Sequence, residues 1–193
     1  MRIGVTGSVD DSSDEELVAR IARGDAAAFA SLVLRHADRS VALAERMTGQ
    51  RGAAEDAVQE AFTRLWRKAD SFDPAQARFT TWFYRVVVNA CTDGLRRQRR
   101  TESLPDGWDM PDPDPDAEAD LARAQRAQAV RRALDELPAR QRVAVVLCYF
   151  DGMSNAQAAE ILELRLKALE ALLVRARRTL RRILDDTAEG DDR

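Results

Sequence analysis

Apolar residues recur along most of this chain at the interval of an α-helix. From Ala57/Val58 through Ala61/Phe62 and Leu65/Trp66 to Ala69 they return every three to four positions. The positions between them, Glu55, Asp56, Gln59, Glu60 and Arg67, are polar. This pattern predicts one strongly amphipathic helix over 53–69. Upstream, 14–47 reads as two helices broken near Gly24-Asp25, with Asp25 capping the second. Residues 70–78 read as a loop. A long helix follows over 80–98, with Trp82, Phe83, Val86, Val87, Ala90 and Leu95 in one apolar stripe.

The second half continues in helices. One is expected over 117–136. The next starts at Leu137-Pro138, with Pro at its first position, and reaches Phe150. Asp151-Gly152 is a turn, and Ser154-Asn-Ala-Gln157 is a capping box that opens a further helix. A last helix reaches about Leu184. No stretch alternates with period two between turn signals, so the fold class is all-α.

The last two helices form a helix-turn-helix candidate. Its first helix, 154–162, carries Ala158, Ala159, Ile161 and Leu162 on an apolar side. Its second, from Leu166, turns Leu169, Leu172, Leu173 and Ala176 inward and Lys167, Glu170, Ala171, Val174, Arg175 and Arg178 outward. A helix that enters a major groove needs such a short polar face, with basic residues further along for phosphates. The turn between them is poorly encoded. A left-handed Glu163 costs on the order of 1 kcal/mol against Gly, and Arg165 is a weak N-cap. Propensity alone would run one helix over 155–184. A turn is still expected, because a continuous helix cannot fold Leu169 and Leu172 back onto Val146 and Phe150.

Charge divides the chain into blocks. Residues 17–101 hold 15 bases and 9 acids, and 121–184 hold 13 bases and 6 acids. Between them, 102–120 hold eight acids and no base; 10–16 hold five acids, and 185–193 five acids and one base. The overall charge of −3 hides this partition. Four of the six Pro fall at 105, 111, 113 and 115, in a tract of alternating Pro and Asp that forms neither helix nor central strand. The expected organisation is therefore a tail over 1–13, a helical domain over 14–100, an acidic Pro/Asp-rich linker over 101–118, a helix-turn-helix domain over 119–184 and an acidic tail over 185–193. Trp108 and Met110 are exceptions in the polar linker, either docked on a surface or exposed.

With 193 residues, 45% hydrophobic and 33% charged, the chain is long enough for two small folded domains. Its apolar runs are far short of the roughly 20 residues of a membrane span, and the N-terminus has no apolar segment for secretion. A cytoplasmic protein is the expectation. Two Cys and one His exclude a disulfide framework and argue against structural zinc. Cys91 and Cys148 read as small buried hydrophobes, and His36 as a surface helix residue. No nucleophile–base pair, Gly-rich phosphate loop or metal cluster is evident, so neither catalysis nor a cofactor is expected.

Basic blocks are the footprint of a polyanion partner, although a solvated helical surface has the same composition. The 80–98 helix adds chemistry to that charge. Arg85, Asn89, Thr92 and Arg96 recur at intervals of four, three and four and share a polar face, which Arg97 and the following bases extend. Arg clamps phosphates and Asn pairs with adenine. The aromatics that open this helix suit stacking on unpaired bases, or belong to the core. The acidic row at 55–60, taken alone, reads as an ordinary solvated face.

Several segments together resemble the short extracytoplasmic-function (ECF) group of bacterial RNA polymerase sigma factors. Asp56-Ala-Val-Gln-Glu-Ala-Phe-Thr-Arg-Leu-Trp-Arg67 is similar to their signature helix. Phe79-Thr-Thr-Trp-Phe-Tyr-Arg-Val-Val-Val-Asn89, with Asp93-Gly-Leu-Arg-Arg-Gln-Arg-Arg100, is similar to their promoter-melting segment. Leu137-Pro-Ala-Arg-Gln-Arg-Val143, Asp151-Gly-Met-Ser-Asn-Ala-Gln-Ala-Ala-Glu-Ile-Leu162 and Val174-Arg-Ala-Arg-Arg-Thr-Leu180 are similar to their C-terminal promoter-reading domain. The resemblance covers about residues 14–184. It implies that Asp56, Gln59, Glu60 and Arg67 bind the polymerase β′ subunit. It implies that the loop of Phe72 holds a flipped base of the minus-ten element, which Trp82, Arg85, Asn89, Arg96 and Arg97 help to open and read. The helix from Leu166, with Arg165, Lys167, Glu170, Ala171, Arg175 and Arg178, would read the minus-thirty-five element. The acidic linker would lie along the path of single-stranded template and nascent RNA; the partners implied are core RNA polymerase, through its β′ and β subunits, promoter DNA and an anti-sigma factor.

Two departures stand out. The turn at 163–165 lacks the Gly and capping Ser common in the family, and Glu170, Ala171 and Leu172 differ from a commoner Lys-Ser-Arg. The alternative reading is a stand-alone helix-turn-helix regulator that does not engage polymerase. An adaptor whose Arg-rich ends bind acidic proteins is a third reading, and it would show no DNA sequence preference.

Overall fold

The computed structural model describes residues 11–101 and 128–190. Most of the tail expected over 1–13, the linker from Glu102 with Trp108 and Met110, the start of the helix expected over 117–136, and residues 191–193 lie outside the described residues. Every regular element among the described residues is helical.

The N-terminal half is a four-helix array: α1 (Asp14–Ile21), α2 (Ala26–Thr48), α3 (Arg51–Lys68) and α4 (Phe79–Thr101). Local chemistry sets each boundary. Ser13 and Glu16 form a reciprocal capping box at the start of α1. Gly24 takes φ +88°, and Asp25 caps α2 by accepting from the N–H groups of Ala27 and Ala28. Those bonds and Arg20, 2.8 Å away, hold the Asp25 carboxyl below its ordinary range. Gly49, at φ +75°, ends α2. A 3₁₀ turn at Ala69–Ser71 then leads into the loop before α4. The first N–H of α4 is satisfied from a distance, since Phe79 N donates to Glu15 Oε1 of α1 at 3.0 Å.

These helices bury one aromatic column. Phe79 and Phe83 are fully buried and stack with centroids 5.4 Å apart. Phe83 meets Phe62 of α3 at 4.8 Å, Phe62 meets Phe29 of α2 at 6.1 Å, and Phe29 meets Trp66 at 5.3 Å. Leu17, Leu32, Leu43, Met47, Leu65 and Val87 fill the space around the column.

The C-terminal half holds a helix over 128–135 (α5), α6 (Ala139–Val145), a π-helical turn (Val146–Phe150), α7 (Asn155–Ile161) and α8 (Leu166–Gly190). Pro138 stands at the N-cap of α6, one step before the expected first position. The capping box of Ser154 and Gln157 is present at α7. The turn after α7 forms as expected. Glu163 takes φ +53°, Leu164 N donates to Ala159 O at 2.8 Å, and Glu163 N to Glu160 O at 3.2 Å. That is a Schellman ending with Glu in place of the usual Gly. It places Leu169, Leu172 and Leu173 in the core with Val146. Phe150 differs from expectation. The wider π turn carries it out of the core, leaving it 42% exposed beneath Arg46, whose guanidinium lies 5.3 Å from the ring. Helix α8 runs to Gly190, past the expected end at Leu184, because no Gly or Pro interrupts it earlier.

The two halves pack together. Helix α4 rests on α7, and α2 meets α6 and the π turn. Arg142 is nearly buried there, donating to Met47 O at 3.0 Å and Asp135 Oδ1 at 3.1 Å.

The aromatic column makes Phe83 the centre of the N-terminal core. Phe83→Ala should lower stability by about 3–5 kcal/mol, read as a fall in the urea midpoint at unchanged slope.

Candidate functional site

Three surfaces carry the residues that the sequence singled out. The first is the outer face of α3, where Asp56, Gln59, Glu60 and Arg67 are all exposed. Their helical spacing puts them opposite Ala54, Ala57, Val58, Ala61 and Leu65, which are buried. Arg51–Glu55 and Glu60–Arg64 pair at 2.8 Å one turn apart. Arg64 holds the Glu60 carboxyl below its ordinary range, assisted by Arg67 and Arg97. Behind this row lies a groove of about 480 Å³ between α3 and α4, lined by Asp56, Glu60, Arg64, Gly94, Leu95 and Arg97.

The second surface is the loop before α4 and the helix itself. Asp73 braces the loop by accepting from Ala75 N at 2.9 Å and Gln76 Nε2 at 2.8 Å. Phe72 is half-buried, edge-on to Phe79 at 6.1 Å and to Trp82 at 5.7 Å. Phe72 and Trp82 therefore form the outer end of the aromatic column. Asn89, Arg96 and Arg97 are exposed, while the Thr92 hydroxyl is turned back onto Val88 O at 2.8 Å. Arg85 is half-buried and engaged by the C-terminal half. Its Nη1 lies 3.3 Å from Glu163 Oε1, and its Nη2 donates to Glu160 O at 3.3 Å.

The third surface is the outer face of α8. Arg165, Lys167, Glu170, Ala171, Arg175 and Arg178 are exposed, and Leu169, Leu172, Leu173 and Ala176 are buried, as the spacing required. Arg165 caps the helix with its backbone carbonyl, which accepts from Ala168 and Leu169. Beside it, Tyr149, Met153, Val174 and Arg177 line a shallow groove.

Residues 32–101 match the Sigma-70 region 2 family, and residues 127–180 match the Sigma-70, region 4 family. The chain is 36% identical over 180 residues to the ECF RNA polymerase sigma factor SigM of Mycobacterium tuberculosis, covering 92% of this chain and 88% of that one. This chain belongs to the ECF sigma-factor family. It is also 36% identical to SigE of Mycolicibacterium smegmatis over 83% of its own length, and spans 64% of that longer relative. Its fold is similar to CnrH in complex with the cytosolic domain of CnrY, with TM-score 0.67, 32% identity and coverage of 91% of this chain and 99% of that one. It is likewise similar to the sigma factor RpoE in complex with the anti-sigma factor NepR from Bartonella quintana, with TM-score 0.65, 25% identity and coverage of 81% and 96%.

Sequence reasoning missed the residues of this sigma factor that join its halves. Arg39 donates to Asp151 O at 2.8 Å and lies 5.7 Å over the Tyr84 ring. Burial pushes the Tyr84 hydroxyl up to about 12 and raises Asp151, against the pull of Arg39 and Arg46. No local pattern marks such partners, which lie 112 positions apart for Arg39 and Asp151. His36 also differs from expectation. It is not a plain surface residue, because Nε2 sits 2.8 Å from Asp14 Oδ2 and the ring packs on Phe79 at 5.4 Å. Among the described residues no three of His, Cys, Asp and Glu gather to hold a metal ion, and no helix is long and apolar enough to cross a membrane.

The cysteines divide by burial. Cys91 is fully buried and its thiol is pushed up to about 12, whereas Cys148 is half-buried and also raised. A raised thiol holds less reactive thiolate at a given pH. Iodoacetamide at mildly alkaline pH should modify Cys148 slowly and Cys91 only after unfolding in guanidinium, as peptide mass mapping would read.

Proposed function

We propose that this sigma factor, working in the cytoplasm, binds core RNA polymerase through α3, opens the minus-ten element with α4 and its preceding loop, and reads the minus-thirty-five element with α8. It acts as an initiation factor, with no chemistry of its own. The observation that carries this reading is the division of each of these helices. Their apolar rows are buried in the core, except for the exposed Trp66, and the rows named for polymerase and promoter stand outward, apart from the Thr92 hydroxyl and the half-buried Phe72, Trp82 and Arg85. Asp56, Gln59, Glu60 and Arg67 form the polymerase face. Phe72 and Trp82 are the apolar walls for an unstacked base, with Arg85, Asn89, Arg96 and Arg97 along the strand. Lys167, Glu170 and Ala171 meet base edges near the start of α8. Arg165, Arg175 and Arg178 hold phosphates. An anti-sigma factor is a further partner, as it is for the RpoE relative.

A stand-alone regulator would need only the C-terminal half and would leave the acidic row of α3 idle. Co-elution with core polymerase on gel filtration separates the two readings. The wild type should co-elute, and Asp56→Arg/Glu60→Arg should weaken the complex by about tenfold or more, the scale of opposed charges at an interface. Failure of the folded wild type to co-elute would instead favour the regulator. In the holoenzyme, Arg178→Ala should weaken promoter binding across sequences and lower the slope of log K against log salt by about 1.

A further inference from the structure

The turn between α7 and α8 holds a non-Gly residue in the left-handed region, where Gly is the unstrained choice. Glu163 is the lone described residue other than Gly with positive φ. Its side chain leaves the C-terminal half altogether and reaches Arg85 on α4. The same guanidinium donates to a second anchor, Glu160 O, one of the carbonyls at the end of α7. Arg85 Nε is buried with no hydrogen-bond partner, so the guanidinium is only partly satisfied.

Other arginines also cross the seam. Arg39 reaches Asp151 O, Arg46 lies over Phe150, and Arg142 reaches Met47 O. Tyr84 Oη and Asp151 Oδ2 are buried there without a hydrogen bond. These charged and polar contacts flank the apolar cluster that continues from one half into the other, and each exposed ion pair among them is worth little by itself.

We propose that Glu163 is a latch: in the free chain its carboxylate occupies Arg85 and keeps the helix-turn-helix folded over the strand-reading face of α4. The strained backbone is retained because a Gly at this position has no side chain with which to hold Arg85. The closed form hides one promoter-reading group until polymerase separates the halves. The role given to Arg85 rests on the function proposed above, whereas the latch itself rests on the seam.

Small-angle scattering of the full chain, paired with anisotropy of a fluorescent random-sequence single-stranded DNA, tests this. Glu163→Gly should raise the radius of gyration and strengthen DNA binding by about two- to fivefold, the range of one exposed ion pair. It should also raise the unfolding midpoint, because strain is relieved. A purely structural residue would move stability and closure in the same direction. Glu163→Gln, which keeps the strain, should open the chain without that gain. Arg85→Glu/Glu163→Arg should restore the wild-type radius. An unchanged radius for both Glu163 variants would overturn the latch, whatever Arg85→Ala does to promoter opening in the holoenzyme. A larger radius with unchanged DNA binding would uphold the latch and remove Arg85 from strand reading.

Discussion

The stacked pair Phe79–Phe83 is the contact on which the N-terminal half depends. It joins α4 to α3 through Phe62 and to α2 through Phe29, so three helices share one aromatic core. Aromatic rings bury large area and prefer offset or edge-on geometry, which fixes the rotation of each helix about its axis. With α4 locked in rotation, Asn89 and Arg96 face outward, and Phe72 and Trp82 end the same column at the surface. The candidate strand-reading surface is thus a continuation of the core, braced by Glu15 at the first turn of α4.

The contact between the halves follows other rules. One apolar cluster runs from the N-terminal half into the C-terminal half, and Arg39, Arg46, Arg85 and Arg142 add polar bridges around it. Guanidinium groups meet carbonyls, carboxylates and ring faces there, so the polar part of the seam is specific in geometry.

Local rules are broken where the halves meet. Glu163 adopts a backbone that favours Gly, and Val146–Phe150 widens into a π turn that turns Phe150 outward. Tyr84 Oη and Asp151 Oδ2 are buried without a hydrogen bond. Such departures gather at sites whose job conflicts with stability, and here they gather at the seam.

Helix periods, caps and charge blocks were legible in the sequence because they depend on neighbours a few residues away. The capping box at Ser154, the cap at Asp25 and the split of α3 and α8 into buried and exposed rows are all of this kind. So was the turn at Glu163, although propensity opposed it, because Leu169 and Leu172 had no other way to reach Val146. Tertiary structure alone decided the placement of Phe150, the pairing of His36 with Asp14, and the choice of Arg85, Arg39 and Arg142 to span the seam. Those contacts join residues tens of positions apart. An arginine that crosses an interface carries the same local pattern as one that faces water, and only the packed arrangement of both halves distinguishes them.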